Sequence, residues 1–326
     1  MVILVTGGTG SLGKVLIPKL LSEFDCRIRV LSRDEHKQTY LQEQWGHKVD
    51  FFIGDIRDRD RVVMAAKGCT LLLHLAAMKS VDKAEYNPNE AVSINILGTQ
   101  NVVYAALQNK ISKNIMTSTD KAVEPLNIYG ASKLTAEKLW IQSNCYSGQD
   151  NVHFSCVRYG NVLGSAGSVI EKWSKCIQEN RLPMITNAEM TRYFILQRHA
   201  ADFVVKSIKE MRGGEVFVPR MKSTTMIDLW NAFAKVKGLS GFMAQPQESG
   251  VRPGEKMHEM LISKHEVLYT TLVLNEYFIR WPNDGLFPFN KRGEKLSDYF
   301  KNGYDSQITE RFTDIELQDM ISEITC

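Results

Sequence analysis

Directly behind the first apolar run, VILVT at 2–6, stands TGGTGSLG, with Gly7, Gly10 and Gly13 in GxxGxxG spacing. A stretch bearing Val15, Leu16, Leu20 and Phe24 follows, so strand, glycine turn and helix come in the order a dinucleotide cradle demands. Gly7 allows the tight turn, Gly10 lets the backbone approach a pyrophosphate and Gly13 permits close helix packing, while the helix N-terminus favours the anion. A plain tight turn would account for the glycines but not for the elements on either side.

Beyond it, short β-branched runs alternate with amphipathic stretches: VLIPKLLSEF, RIRVLS, a polar helix-like segment, then VDFFIGD. LLLHLA at 71–76, a helix around 90–109 with Ile94, Leu97, Val102, Ala105 and Ala106, and the strand NIMTS at 114–118 continue the rhythm. This predicts an α/β chain, a Rossmann-like doubly wound parallel sheet with a smaller C-terminal α/β substrate-binding lobe. HFSCVRYGNVLG at 153–164 reads as one strand ending in a glycine turn. The boundary is set near 160, with residues 1–160 as the nucleotide-binding domain and 161–326 mainly as the second lobe, some elements returning to the first sheet. In that lobe a helix at 168–180, a strand at 215–219, a helix at 226–236 and a turn at 252–256 are expected. The interval 263–300 gives no clean period, and 308–325 reads as a helix with Ile308, Phe312, Leu317, Met320 and Ile321.

Lys+Arg 40 against Asp+Glu 37 leaves a formal charge of +3, so no global basic field calls for nucleic acid. Cys26, Cys69, Cys145, Cys156, Cys176 and Cys326 are scattered without metal-ligand spacing and read as reduced thiols; no metal is expected. MVILVTGG has no basic n-region and no apolar run approaches membrane-spanning length, so the cytoplasm is the expected compartment, with no membrane partner.

The second strand ends in LSRDEHKQ, where an NAD enzyme usually places an acid against the ribose 2′-hydroxyl. Ser32 and Arg33 come first, with Lys37 one turn on, and suit a 2′-phosphate; NADP is therefore preferred, although Asp34 leaves NAD open and a solvated basic turn would look the same. Asp55 and Ile56 close the next strand, well placed for adenine.

STDKAVEPLNIYGASK at 118–133 begins at the C-terminal end of a strand, where open α/β sheets place their sites. Tyr129 and Lys133 are four apart and share a helical face, so the ammonium can lower the phenol pKa for removal of an alcohol proton. In an arbitrary chain they would be a packed aromatic and a solvated charge; behind a nucleotide-binding βαβ set that reading loses. Upstream, Asp120 and Lys121 add a carboxylic acid and an amine beside the same position. Simple alcohol oxidation needs neither. Elimination of water does: Lys121 fits the base that removes a C5 proton acidified by a transient C4 ketone, and Asp120 the acid that protonates the departing C6 hydroxyl.

The glycine turn and the Tyr129–Lys133 pair resemble the extended short-chain dehydrogenase/reductase family along essentially the whole chain. STDKAVEPLNIYGASK, RYGNVLGSAGSV at 158–169, MTRYF at 190–194 and RPGEKMHE at 252–259, as an ordered set, look like the inverting UDP-N-acetylglucosamine 4,6-dehydratases of surface-glycan biosynthesis, and the tail YDSQITERFTDIEL looks like their capsule-type branch. The resemblance implies Tyr129 as the C4 oxidation base, Thr119 as a hydrogen bond to the sugar, Asn161 at the UDP pyrophosphate, and Arg192, Arg252 and Glu255 as further substrate contacts. It implies Lys79 near the nicotinamide ribose, and adds Thr9, Ser11, Leu12, Leu75, Ala76, Ala77 and Ser118 to the cofactor set. Tightly bound NADP regenerated each turnover, a UDP-sugar substrate and a homo-oligomer, dimer or hexamer, follow in the same way. Ser80 and Asp82 stand where relatives usually show His or Gln and Pro, which touches how the substrate loop reads the C2 acetamido group; 164–167 lacks a frequent Arg, which touches cofactor or phosphate contacts. A UDP-sugar 4-epimerase, a UDP-glucose 4,6-dehydratase and a non-catalytic dinucleotide-binding scaffold are the competing readings.

Overall fold

The computed structural model describes residues 1–241, 245–282 and 291–325. In the first half, β1 (Val2–Thr6), α1 (Ser11–Glu23), β2 (Arg27–Ser32), α2 (Glu35–Trp45), β3 (Val49–Ile53), α3 (Arg59–Ala66) and β4 (Leu71–His74) lead to α4 (Val81–Tyr86), α5 (Pro88–Ala91), a π-helical segment 92–97, α6 (Gly98–Gln108), β5 (Lys113–Thr119), α7 (Ile128–Gln142) and β6 (His153–Tyr159). The second half runs β7 (Asn161–Leu163), α8 (Val169–Gln178), β8 (Met184–Ile185), β9 (Thr191–Leu196), α9 (Gln197–Glu210), β10 (Val216–Pro219), β11 (Ser223–Thr225) and α10 (Met226–Val236). It ends with β12 (Gln247–Glu248), β13 (Met260–Ile262), β14 (Thr270–Val273), β15 (Tyr277–Arg280), β16 (Glu294–Lys295), β17 (Tyr304–Asp305) and α11 (Asp314–Thr325).

The main sheet runs β3-β2-β1-β4-β5-β6-β10-β15-β14-β16. From β3 to β10 every pairing is parallel, and the pairings beyond are antiparallel. The strand order reverses at β1, flanked by β2 and β4, and a crevice opens there at the C-terminal ends of the strands. The strands read as near-continuous apolar runs because helices cover both faces: Ile3, Leu4, Ile28, Val30, Leu72, Ile115 and Val157 are fully or almost fully buried.

The strand expected over 153–164 breaks at Gly160, where β6 leaves the main sheet and β7 enters a smaller sheet, β11-β9-β7. A Cβ on Gly160 would stand 2.5 Å from that of Tyr193, so only glycine lets the chain pass β9. Over this small sheet Trp173, Trp230 and Phe233 form a second core, the two indoles edge to face at 5.1 Å, closed by Leu317 and Ile321 of α11.

Three further expectations need correction. The helix read over 90–109 is α5, a π-helical segment and α6. The helix read over 308–325 starts at Asp314, because Thr313 and Glu316 form a reciprocal capping box, Glu316 N donating to Thr313 Oγ1 and Thr313 N to the Glu316 carboxylate. Ile308 is half exposed outside it. Within 263–300, short strands β14, β15 and β16 extend the main sheet, too brief to show a period; residues 283–290 and Cys326 lie outside the described residues.

Candidate active site

A cleft of about 1630 Å³ runs along the crevice, ample for two nucleotides. Gly7, Thr9, Gly10, Ser11, Leu12 and Gly13 line one wall, with Ser32, Arg33, Lys37, Asp55 and Ile56 at its end and Leu75, Ala76, Ala77, Lys79 and Ser118 along its floor. Thr119, Lys121, Tyr129, Lys133, Asn161, Arg192, Arg252 and Glu255 line the rest. Residues from nine separate segments thus meet in one cavity.

The cradle is built by what is missing. Gly7 has φ +72°, and a Cβ there would stand 2.7 Å from the Ala76 nitrogen; a Cβ on Gly13 would stand 2.1 Å from the Gly8 carbonyl oxygen. Among the described residues no side chain caps the start of α1, so the amides of its first turn suit an anion in the cleft. Ser118 Oγ is buried with no partner among the described residues, an unspent hydroxyl on the cleft floor. These features fit a dinucleotide. At the far end, the Asp34 carboxylate accepts from Lys37 N at 3.0 Å, capping α2, and pairs with Lys37 Nζ at 2.9 Å. Arg33 is exposed and only loosely paired, 3.7 Å from Asp55.

On the other wall, Asn127 caps α7 by accepting from Gly130 N at 2.8 Å. Tyr129 and Lys133 follow one turn apart. A Cβ on Gly130 would fall 2.2 Å from the Lys121 carbonyl oxygen, so the glycine of YGASK lets α7 press against the Asp-Lys turn. The expected cation for the phenol is corrected here. Burial pushes the Tyr129 phenol up, and the principal charge opposing this is Lys121, with the neighbouring Thr119 hydroxyl acting in the same sense. Lys133 donates to the Thr117 carbonyl at 2.9 Å, and burial lowers its pKa to about 8.

Asp120, expected to face the sugar as an acid, is fully buried behind the cleft wall. Its Oδ1 accepts from Thr119 Oγ1 at 2.8 Å, from Lys121 N at 2.9 Å and from Lys121 Nζ at 3.2 Å, so its path to the cleft runs through the Thr119 hydroxyl and the Lys121 amine. Burial holds the Asp120 carboxyl above the usual range, against the pull of Lys121 and with help from Glu259. Burial alone would lower the Lys121 ammonium, but the Asp120 and Glu259 carboxylates overcome it and raise its pKa.

Asn161 accepts from Lys121 Nζ at 3.2 Å and belongs to this cluster as well as to the cleft wall. Arg192 is buried, with Glu255 Oε1 at 3.3 Å and Glu259 Oε1 at 3.8 Å. Arg252 is exposed and its nearest acid is Asp82 at 3.4 Å, one of the residues at which the substrate loop departs from the family pattern. Lys79 donates to the Ala166 carbonyl at 2.8 Å, bridging the cleft. Two residues of RPGEKMHE carry contacts that motif reading did not assign. Lys256 Nζ donates to the Val123 carbonyl at 2.5 Å, and Glu259, buried, lies 3.3 Å from Lys121 Nζ. Their acid and base character inside a glycine-marked turn was the available signal.

The protein is 39% identical over 316 residues to the UDP-N-acetylglucosamine 4,6-dehydratase (inverting) of Campylobacter jejuni subsp. jejuni serotype O:2, covering 93% of this chain and 92% of that one. It is 34% identical to the UDP-glucose 4-epimerase of Rickettsia bellii, covering 98% and 94%. Among solved structures, Pen from Bacillus thuringiensis superposes with a TM-score of 0.89 at 35% identity, covering 99% of this chain and 97% of that one. A family model described as polysaccharide biosynthesis protein matches residues 3–280, and the chain belongs to that family.

Proposed function

We propose that this protein is a UDP-N-acetylglucosamine 4,6-dehydratase that inverts C5, giving UDP-2-acetamido-2,6-dideoxy-β-L-arabino-hex-4-ulose. The observation that carries the reading is the Asp120–Lys121 pair, 3.2 Å apart and packed by Gly130 against the helix that bears Tyr129, beside a dinucleotide cradle. The Campylobacter relative, named for this activity over nearly its whole length, supports it.

A nicotinamide dinucleotide held along Gly7, Gly10, Gly13 and Ser118 would supply hydride acceptance at C4 and hydride return at C6. NADP is the form proposed, since Asp34 is spent on capping α2 while the Arg33 guanidinium stays exposed for a 2′-phosphate. Tyr129 removes the C4 hydroxyl proton. Lys121, once its proton has passed to Asp120, removes the C5 proton. Asp120 then protonates the departing C6 hydroxyl through Thr119, whose Oγ1 it already holds. Arg192 and Arg252 bring positive charge to the UDP end, and Asn161 fixes the Lys121 amine.

The Rickettsia relative favours a second reading, epimerisation at C4. NMR of the reaction with UDP-N-acetylglucosamine in deuterated water separates the two: a 6-deoxy-4-keto product with inverted, deuterated C5 supports dehydration, and a product that keeps its C6 oxygen sinks it. The enzyme is further proposed to work in the cytoplasm as a homo-oligomer through the helices flanking the Tyr129 segment, where Leu97, Tyr104 and Leu139 are exposed; among the described residues no helix is long and apolar enough to cross a membrane.

A further inference from the structure

Three acceptors surround the Lys121 amine: Asp120 Oδ1 and Asn161 Oδ1, each at 3.2 Å, and Glu259 Oε1 at 3.3 Å. Asp120 and Asn161 accept hydrogen bonds from the ammonium, and the Glu259 carboxylate stands at ion-pair distance from it. When one proton passes to Asp120, Asn161 and Glu259 remain beside the amine as acceptors for the two N–H groups it keeps.

Glu259 is held with unusual care for a residue without an assigned role. Its side chain is 4% exposed, its amide donates to Ser306 Oγ at 2.9 Å, and its carbonyl accepts from Ser306 N at 2.7 Å. Ser306, itself fully buried, also hydrogen-bonds Thr191 Oγ1 at 2.6 Å, next to Arg192. The YDSQ tail thus pins Glu259 against the Asp-Lys turn from the far side. Glu259 Oε2 is buried with no partner among the described residues, so the carboxylate is turned wholly toward the cations on its other oxygen.

The charged groups around it are Lys121, Arg192 and Lys256 as cations and Asp120 and Glu255 as acids, with the Tyr129 phenol nearby. Removing one negative charge from this buried set makes it more positive by one unit. That pulls the proton off Asp120 and, by the same field, off Lys121. Asp120 is then the poorer acid, while Lys121, which lines the cleft and is 20% exposed, gives its proton up to solvent more readily and still serves as the base at C5.

Building on the dehydratase reading above, we propose that Glu259 is a positioning residue for the elimination: it holds the Lys121 amine in place and supplies the negative charge that favours the proton on Asp120. In the step it supports, the C5–H bond breaks, its proton passing to the Lys121 amine and its electron pair entering the enolate of the 4-keto sugar. The enolate pair then forms the C5=C6 bond as the C6–O bond breaks, the oxygen taking the Asp120 proton and leaving as water; an oxidised nicotinamide dinucleotide would serve as hydride acceptor in forming the 4-keto group.

The test is the Glu259→Gln variant with UDP-N-acetylglucosamine and NADP in deuterated water, following both product and recovered substrate. Expected is roughly a ten- to hundredfold fall in product formation while C5 exchange continues, so that recovered substrate carries deuterium at C5. A role confined to folding would lower exchange and product together. If the variant binds the dinucleotide but divides its substrate between exchange and product as wild type does, the proposal is overturned. Should it fail to bind the dinucleotide, Glu259→Asp is read in the same assay: a partition shifted toward exchange supports the proposal, an unshifted one overturns it. A wild-type enzyme that leaves C6 oxygenated would instead sink the dehydratase reading, and this one with it.

Discussion

The two walls of the cleft are built on opposite principles. The cradle wall is local, backbone-made and lightly charged: Gly7, Gly10 and Gly13 come from one turn, and its basic end, Arg33, is exposed to solvent. The sugar wall gathers Asp120, Lys121, Arg192 and Glu259 from three distant segments into a buried cluster in which every charge has an opposite within 4 Å. A backbone cradle works by removing obstacles and exposing amides, so it tolerates water. Proton transfer needs groups whose affinities are set by burial and by each other, so it requires enclosure.

By that contrast, the largest effect falls on the sugar wall. Lys121→Ala is expected to lower dehydration about a thousandfold or more and to abolish C5 solvent exchange, with NADP affinity unchanged by fluorescence titration. Loss of NADP binding would mean the two walls are not separable.

The second prediction carries the contrast into stability. Arg158, buried, holds Glu137 at 2.5 Å and Glu266 at 2.9 Å. Burial alone would raise Glu266, but the Arg158 guanidinium outweighs it and holds its carboxyl down to about 2. A depressed carboxyl pKa contributes stability that is present above its unfolded value and lost as pH falls from the ordinary glutamate range toward 2. Glu266→Gln is therefore expected to cost about 3 kcal/mol near neutral pH, shrinking across that acid window in denaturant titrations. Asp50→Asn, which removes a shorter but more solvent-exposed pair with Arg27 at 2.6 Å on the cradle side, is expected to leave the melting temperature unchanged.

The smallest effect on function is expected at the exposed end of the cradle. Arg33→Ala should weaken NADP roughly tenfold while leaving NAD affinity as it was, measured by fluorescence titration with both. An equal loss for both would remove Arg33 from the 2′-phosphate.

The chain's own text is informative where one segment suffices. TGGTGSLG, the alternation of apolar runs and the spacing of Tyr129 and Lys133 each describe geometry within a few residues, and the sheet order around β1 follows from right-handed strand-to-strand crossovers. It is less informative where contacts span the chain. That HFSCVRYGNVLG changes sheets at Gly160 depends on Tyr193, and that Asp120 lies behind the wall depends on the packing of α7 and of residues 252–259 over its turn.

Sequence by itself thus determined the fold class, the glycine turn and the spacing that sets a carboxylic acid, an amine and a phenol close together, because periodicity, glycine spacing and helical pitch are local properties. Tertiary structure alone decided which cation the Tyr129 phenol feels, that Asp34 is occupied as a cap, and that Glu259 completes the cluster about Lys121. Burial and charge are fields summed over neighbours, and those neighbours lie up to 138 residues apart in the chain, as Lys121 and Glu259 do.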